Sequence, residues 1–349
     1  WKRQAWCRLS MRADIERKLT DTWYGDSPPA HWLRSLVPLY RGASHLDKWW
    51  KNRNRCSDLE SACIIVVGNI TAGGSGKTPL VIQLCRILKQ AGLTPGVISR
   101  GYGRKKRGLR FVSPASSPGE VGDEPLLIAR RAGVPVVVSS DRCQAARALL
   151  EQQIDVIISD DGLQHHRMPR SLEICVVDGS RGFGNGSLIP AGPLREPLDR
   201  LSSVDHIITN GDCESLPEGI RSEKMMLVAG MLRSLNDGQG WRLAQFKGCS
   251  VHAVAGIGNP ERFFRLLEQS GLKVIEHAFP DHHAFTEQDF AQMKSDFPVL
   301  MTEKDAVKCS GMDLKNAWFL SVEAVLPAAW EAMFVRQVLE RLKNPVPSS

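Results

Sequence analysis

The stretch Cys63-Ile-Ile-Val-Val-Gly-Asn-Ile-Thr71-Ala72-Gly73-Gly74-Ser75-Gly76-Lys77-Thr78 runs from an apolar, β-branched segment through a glycine-rich turn to a helix start. Successive glycines let backbone N–H groups converge on one cavity, and a helix N-terminus adds partial positive charge, so the turn suits a polyphosphate. Lys77 is then placed for the β- and γ-phosphates of ATP and the Thr78 hydroxyl for Mg²⁺. Thr71 stands where the pattern G-x-x-x-x-G-K-[ST] has its first Gly. The rival reading is an ordinary turn between strand and helix. Gly76-Lys77-Thr78 in register favours the nucleotide.

A second apolar run, Val156-Ile-Ile-Ser, ends in Asp160-Asp161, followed by Gly162-Leu-Gln164-His165-His166. An acid at the C-terminal edge of such a strand is where a P-loop enzyme needs one for Mg²⁺. Ser99-Arg100-Gly-Tyr102-Gly ends another strand, with Arg100 either a phosphate contact or a solvated turn residue. Gly122-Asp123-Glu124-Pro places two carboxylates ahead of a helix, where Asp123 also reads as a plain N-cap. Pro190-Ala-Gly-Pro-Leu-Arg195-Glu196-Pro holds an Arg-Glu pair in a stiff turn, and Asp281-His282-His283 sets histidines beside an acid. A kinase acting on a hydroxyl needs a base, and His near a carboxylate is a common solution. For the His pair alone a turn or N-cap outweighs a catalytic reading. GTPase readings fail, because neither D-x-x-G after the loop nor N-K-x-D falls in a usable position.

The elements that must position these residues alternate. Strands are expected at Cys63–Val67, Thr94–Ile98, Pro135–Ser139, Val156–Ser159, Ile174–Val177 and His206–Thr209, with helices at Thr78–Ala91, Glu124–Ala132 and Asp141–Gln152. The pattern is that of a P-loop-like α/β fold with a mostly parallel sheet and flanking helices. Gly179–Pro197 has no periodicity and is too long for an ordinary connector. A second alternation follows: strands Met226–Ala229, Ser250–Ala255, Lys273–Ala278 and Val299–Thr302, and helices Pro260–Ser270, Thr286–Asp296 and Ala328–Leu342. It predicts a smaller C-terminal α/β lobe. The expected division is residues 1–55, 56–224 and 225–349, the second boundary falling within 211–245.

Charge is uneven along the 349 residues. Residues 1–55 hold 12 of the 45 Lys+Arg and 5 of the 38 Asp+Glu, so the whole formal charge of +7 sits there and the rest is balanced. Six of the nine Trp share that segment. On a helical wheel Trp32, Leu36, Leu39, Ala43, Leu46 and Trp50 form one face of a basic amphipathic helix, with Arg34, Arg41 and Lys48 opposite. Such a helix either lies in a membrane interface or packs on the body. No uncharged apolar run nears the roughly 20 residues of a spanning helix. Nine scattered cysteines without C-x-x-C signal neither zinc nor a disulfide framework, which fits a reducing compartment. The N-terminus lacks the apolar core of a signal peptide. Met11 is a candidate start, with residues 1–10 as upstream extension.

Taken in order, Gly68-Asn-Ile-Thr-Ala-Gly-Gly-Ser-Gly-Lys-Thr-Pro, Ser99-Arg-Gly-Tyr-Gly, Gly122-Asp-Glu-Pro, Asp160-Asp-Gly-Leu-Gln-His, Arg181-Gly-Phe-Gly-Asn-Gly, Pro190-Ala-Gly-Pro-Leu-Arg-Glu-Pro, Asp281-His-His and Met301-Thr-Glu-Lys-Asp-Ala closely resemble the tetraacyldisaccharide 4′-kinase family, the lipid A 4′-kinases of Gram-negative bacteria. The likeness spans about residues 20–340, and Thr71 is characteristic of this family's loop. Ser75 and Ser171 are minor departures. The resemblance implies transfer of the ATP γ-phosphate to the 4′-hydroxyl of a tetraacylated glucosamine disaccharide 1-phosphate, giving lipid IVA. It implies Asp123 and His282 as a base pair, with His283 the alternative, and Lys77 and Thr78 in the P-loop roles. Asp160, Glu124 and Glu196 would surround Mg²⁺. Arg195 would stabilise phosphate charge, and Arg100, Tyr102, Asp161, Gln164 and His165 would line the substrate side. A lipid substrate favours the membrane role of the front helix, and hence a peripheral place on the cytoplasmic face of the inner membrane. A nucleic-acid-associated P-loop ATPase is the rival class. The balanced body and the apolar stripe beside the basic residues argue against nucleic acid.

Overall fold

The computed structural model describes residues 18–25, 28–291, 293 and 296–344. The candidate start at Met11 and the basic residues before 18 lie outside them. α1 (His31–Arg53) precedes the sheet and runs unbroken through Pro38. Then come β1 (Cys63–Gly68), α2 (Lys77–Gln90), β2 (Pro95–Ser99), β3 (Arg110–Phe111), α3 (Pro118–Val121), α4 (Asp123–Ala132), β4 (Val136–Val138), α5 (Arg142–Leu150), β5 (Val156–Asp160), β6 (Leu172–Asp178) and β7 (His206–Asn210). The strands lie in the order β7–β6–β1–β5–β2–β4–β3, all pairs parallel except β3 with β4. β1, β2, β4, β5 and β6 are buried at every residue. Helices on both faces of a parallel sheet demand this, and runs such as Cys-Ile-Ile-Val-Val supply it.

The second half adds β8 (Glu223–Ser234), β9 (Gly240–Arg242), β10 (Ser250–Ala255), α6 (Pro260–Gln269), β11 (Lys273–Ala278), α7 (Glu287–Phe290), β12 (Val299–Thr302), α8 (Glu303–Lys308), β13 (Ala317–Val325) and α9 (Ala328–Lys343). β8 belongs to both halves. Its first residues pair parallel with β7, and Met226 to Ser234 pair antiparallel with β13. The remaining order is β11–β10–β12–β13–β8, so thirteen strands among the described residues form one sheet. The chain then crosses back. Trp330, Phe334 and Val338, spaced by four along α9, join the same buried cluster as Ile65, Leu80 and Ile174 of the first half. Burial of each such aromatic ring stabilises by about 2–3 kcal/mol.

Three differences from the sequence expectation have physical causes. The helix expected over Thr286–Asp296 stops at Phe290, where the Met293 N–H turns back onto the Phe290 carbonyl and the chain must extend ahead of Pro298. The strand expected at Met226–Ala229 is twelve residues long, because it pairs with two neighbours in succession. Contrary to the cysteine reading, Cys56 and Cys143 form a disulfide. They are 87 residues apart in sequence, and only the packing of the turn after α1 against the start of α5 brings them together, a pairing that local spacing does not encode. An Arg147–Asp58 ion pair at 2.6 Å ties the same two segments.

Candidate active site

The loop from Asn69 to Gly76 joins β1 to α2. Gly76 has φ +92°, and a Cβ there would lie 2.6 Å from the Asn210 amide nitrogen, so the position requires glycine on both counts. That amide donates to the Ser75 carbonyl at 3.3 Å, while its oxygen accepts from Arg262 at 2.6 Å. Thr71 is explained by pairing. It forms a β-bridge with Leu194, and the Ala72 N–H to Pro193 O and Arg195 N–H to Ile70 O bonds, each 2.7 Å, lay the loop of residues 179–197 along the P-loop. Extended pairing suits a β-branched residue better than glycine. The segment before α1 braces the assembly: Trp23 donates to the Pro190 carbonyl at 3.0 Å and Tyr24 to the Ala72 carbonyl at 3.3 Å.

Register places the acids. Val67, next to last in β1, pairs with Asp160. Asp160 is 1% exposed. Its Oδ2 accepts from the Ser99 hydroxyl at 3.2 Å, whereas Oδ1 has no partner among the described residues. Burial, reinforced by Glu124 and Asp161, pushes its pKa up to about 7. Arg142, which the sequence reading passed over, is buried and donates to the Asp160 carbonyl at 2.6 Å and the Ser159 hydroxyl at 3.2 Å, fixing the strand end. Asp161 differs. With φ +50° it turns outward, and its Oδ1 meets both Lys77 and Arg195 at 3.4 Å. Burial would raise its pKa, but Lys77 and Arg195 hold it below the usual carboxylate range.

The second lobe closes onto this edge. A Cβ on Gly258 would lie 3.1 Å from the Gly74 nitrogen, so the two backbones touch. Asp123 heads α4 rather than capping it, and its Oδ2 lies 3.0 Å from His282 Nδ1. A carboxylate only accepts, so Nδ1 carries the proton. His283 instead faces Asp289 at 3.2 Å, so the neighbouring histidines have separate partners. His282 has φ +58°, a left-handed conformation uncommon for non-glycine residues, and Tyr102 lies over its ring at 4.9 Å. Lys304, the lysine of the Thr-Glu-Lys-Asp segment at the start of α8, sits among these groups, with Nζ 3.0 Å from Glu124, 3.3 Å from Asp281, 3.5 Å from His282 Nε2 and 3.9 Å from Asp123. Burial alone would raise the Asp123 pKa, but the His282 hydrogen bond and Lys304 bring it down to about 2. Burial opposes charge on His282, yet its bond to Asp123 leaves the pKa raised. Lys304 stays charged, since Glu124, Asp281 and Asp123 outweigh its burial.

Other expected site residues fall elsewhere. Glu196 receives Gln164 at 2.7 Å and Arg200 at 3.4 Å, and no contact joins it to Asp160. Gln164 also donates to the Asn69 carbonyl at 3.0 Å, so it supports the loop from behind. His165 has its Nε2 buried without a partner among the described residues, and burial followed by nearby Arg142 and Lys51 lowers its pKa to about 4. Arg100 is exposed beyond β2 and makes no ion pair among the described residues. Thr78 is the second residue of α2, and Ala72, Gly73 and Gly74 form the turn ahead of it. No group of three or more His, Cys, Asp or Glu is arranged to hold a metal by itself among the described residues. Lys304 was missed because its importance comes from where α8 docks. Its quoted motif was the available signal.

A parallel sheet whose P-loop, strand-end acid and cross-lobe carboxylate–histidine pair meet at one edge defines an α/β P-loop phosphotransferase. Residues 29–340 match the family described as tetraacyldisaccharide-1-P 4′-kinase. The chain belongs to that family. A tetraacyldisaccharide 4′-kinase of Alkalilimnicola ehrlichii is 49% identical, covering 84% of this chain and 88% of that protein. One of Stenotrophomonas maltophilia is 47% identical, with 92% and 96% covered. The crystal structure of the "apo" form of LpxK from Aquifex aeolicus in complex with ATP superposes with a TM-score of 0.69 at 30% identity, covering 88% of this chain and 98% of that one.

Proposed function

We propose that the protein is an ATP-dependent kinase of lipid A biosynthesis that transfers the γ-phosphate to the 4′-hydroxyl of tetraacyldisaccharide 1-phosphate, giving lipid IVA. Family membership supports the reaction. The observation that carries the mechanism is the 3.0 Å contact between Asp123 and His282, two residues 159 positions apart, at the edge where the P-loop lies. In this reading the backbone N–H groups of Gly73 to Gly76 and the Lys77 ammonium hold the ATP phosphates, the Ala72 N–H being taken by the Pro193 carbonyl, and Arg195 neutralises charge beside them. The Asp123–His282 pair takes the proton of the acceptor hydroxyl, Asp123 fixing the tautomer and ring orientation. Lys304 joins second-lobe Asp281 to first-lobe Glu124 and so helps hold the lobes around the reacting groups.

The residues present fit Mg²⁺. Asp160 has a buried oxygen without a partner among the described residues and a carboxyl that burial, with Glu124 and Asp161, pushes up in spite of Lys77 and Arg142, and Mg²⁺ usually takes one or two carboxylates plus substrate phosphates. Asp160 and Thr78 would hold it, with Glu124 beside them, and bound there it would neutralise the phosphate oxygens. Glu196, bonded to Gln164 and Arg200, is not needed.

α1 is read as a peripheral membrane contact. Trp32 (65% exposed), Leu39 (69%) and Leu46 (65%) leave the apolar stripe open, and each basic residue near an anionic leaflet adds about 1 kcal/mol. No helix among the described residues is long and apolar enough to cross a membrane. The proposed site of action is the cytoplasmic face of the inner membrane, with no nucleic-acid partner. Incubation with labelled ATP, Mg²⁺ and tetraacyldisaccharide 1-phosphate tests the reaction: label should move into the lipid fraction, and a label-free lipid would overturn the assignment.

A further inference from the structure

A second cleft opens between the lobes behind the catalytic edge. A cavity of about 930 Å³ is bounded by α2, the C-terminal half of α4, α8 and the paired stretch of β8 and β13. Five arginines line it: Arg86, Arg130, Arg131, Arg233 and Arg242. Its two carboxylates, Glu303 and Glu323, are already engaged. Arg131 bonds to Glu303 and lies 3.5 Å from Glu323, which also meets Arg86 at 3.6 Å. Among the described residues Arg130 has only neutral partners, the Pro114 carbonyl at 3.0 Å and the Ser310 hydroxyl at 3.2 Å. Arg233 and Arg242 make no ion pair among the described residues. Arg233 also acts on Glu303 through space, so five arginines against two carboxylates leave an excess of three positive charges in one concavity, and concave low-dielectric walls focus such a field. Leu127, Met231, Leu243 and Phe319 give the same cavity an apolar lining.

The cleft and the catalytic edge are two ends of the same helices. α4 begins with Asp123 and Glu124 and ends with Arg130 and Arg131. α8 presents Lys304 to the catalytic carboxylates and the adjacent Glu303 to Arg131. The arginines come from α2 and α4 on one side and from β8 and β9 on the other, so an anion between them touches both halves.

We infer that this cleft is a second ligand site, which takes a phosphate-bearing anion with an apolar body and, when filled, braces the lobes in the arrangement that sets His282 against Asp123. The binding itself does not depend on the kinase reading. The bracing rests on it only for the importance of the contact. A ligand that prefers this arrangement stabilises it by its differential affinity and by no more than that.

Calorimetric titration of the full chain, with the P-loop saturated by a non-hydrolysable ATP analogue and Mg²⁺, tests this. Inorganic pyrophosphate and dihexanoyl phosphatidic acid below its micellar concentration are the probes, separating free phosphates from lipid headgroups. Both should bind, the phosphatidate more tightly. Arg233→Gln with Arg242→Gln should weaken them at least tenfold, and Arg233→Lys with Arg242→Lys should keep most of the affinity. Because both arginines are exposed, the variants should fold as the parent does, which amide exchange of the core strands verifies. No binding, or equal binding by the Gln variant, overturns the site. Equal affinity for the two probes removes the apolar body. Ligand binding that leaves amide exchange in α8 and β13 unslowed overturns the bracing. Each result is independent of whether lipid is phosphorylated.

Discussion

Asp123 and Asp160 are both buried, 6% and 1% exposed, near one edge of one sheet, yet their surroundings drive them in opposite directions. Burial raises both. At Asp123 the second lobe reverses the effect, with His282 and Lys304 holding the carboxyl at about 2. At Asp160 the neighbours Glu124 and Asp161 add to the effect and one oxygen goes unpaired, leaving it at about 7. The Asp123 region is electrostatically complete within the protein. At Asp160 one buried oxygen has no partner among the described residues, and Lys77 and Arg142 do not cancel the effect of burial. In the proposed mechanism that difference separates a proton-handling pair, built where the lobes meet, from a carboxylate that would take a cation.

Breaking the complete region should have the largest effect. Asp123→Ala is expected to lower kcat by about 10²–10⁴, the usual worth of positioned acid–base groups, with the KM for ATP little changed. Removing one member of a buried charged pair also destabilises by about 3–5 kcal/mol, so Asp123→Asn and His282→Gln are the controls that keep the shape. Steady-state kinetics on all three variants decide it. Turnover within a few-fold of the parent in the folded Asn and Gln variants would remove the base assignment.

Neutralising the incomplete region should cost activity while adding stability. The folded pKa of Asp160, about 7, lies above the ordinary 3.8, so the folded state holds the proton more firmly and stability falls as pH rises from about 4 to 7. Asp160→Asn removes the buried charge. Without nucleotide, its melting temperature should exceed the parent's at pH 8, the gap should close near pH 4, and Mg²⁺ should no longer strengthen ATP binding. A lower melting temperature at pH 8 would mean that the Ser99 hydroxyl, Lys77 and Arg142 outweigh the burial of Asp160 in the folded protein, and the contrast with Asp123 would collapse.

The same contrast separates what the sequence reveals from what it hides. The P-loop, Asp160 and the strands beneath them are contiguous runs whose function follows from local order, Cys63 to Thr78 and Val156 to Asp161. Their buried, parallel arrangement follows from the β-branched runs. The Asp123–His282 pair joins residues 159 apart, and choosing His282 over His283 depended on a left-handed turn that no periodicity encodes. Lys304, Arg142 and the Cys56–Cys143 disulfide were hidden for the same reason, since each acquires its meaning from tertiary docking. Glu196 shows the converse. The family resemblance implied a place for it at Mg²⁺, and in the fold its carboxylate accepts from Gln164 and faces Arg200, contacts that local order does not encode.

The smallest effect on chemistry, and the one that extends the comparison to the periphery, concerns α1 against α9. Both carry Trp on an amphipathic face. In α9 Trp330 and Phe334 are buried in the first-half core, whereas in α1 the corresponding stripe faces outward. Composition therefore does not decide burial, and among the described residues the stripe of α1 is left exposed. Replacing Trp32, Leu39 and Leu46 together by Ser should change the melting temperature little, because these side chains have almost nothing to lose on folding. Turnover in detergent should be nearly unaffected, while cosedimentation with anionic liposomes should weaken by about tenfold or more, given roughly 25 cal/mol per Å² of apolar surface returned to water. Phe334→Ala should do the reverse, destabilising by about 3–5 kcal/mol with membrane affinity intact in the folded fraction. Unaltered liposome binding by the triple Ser variant would return α1 to the status of a helix whose outer face is merely solvated.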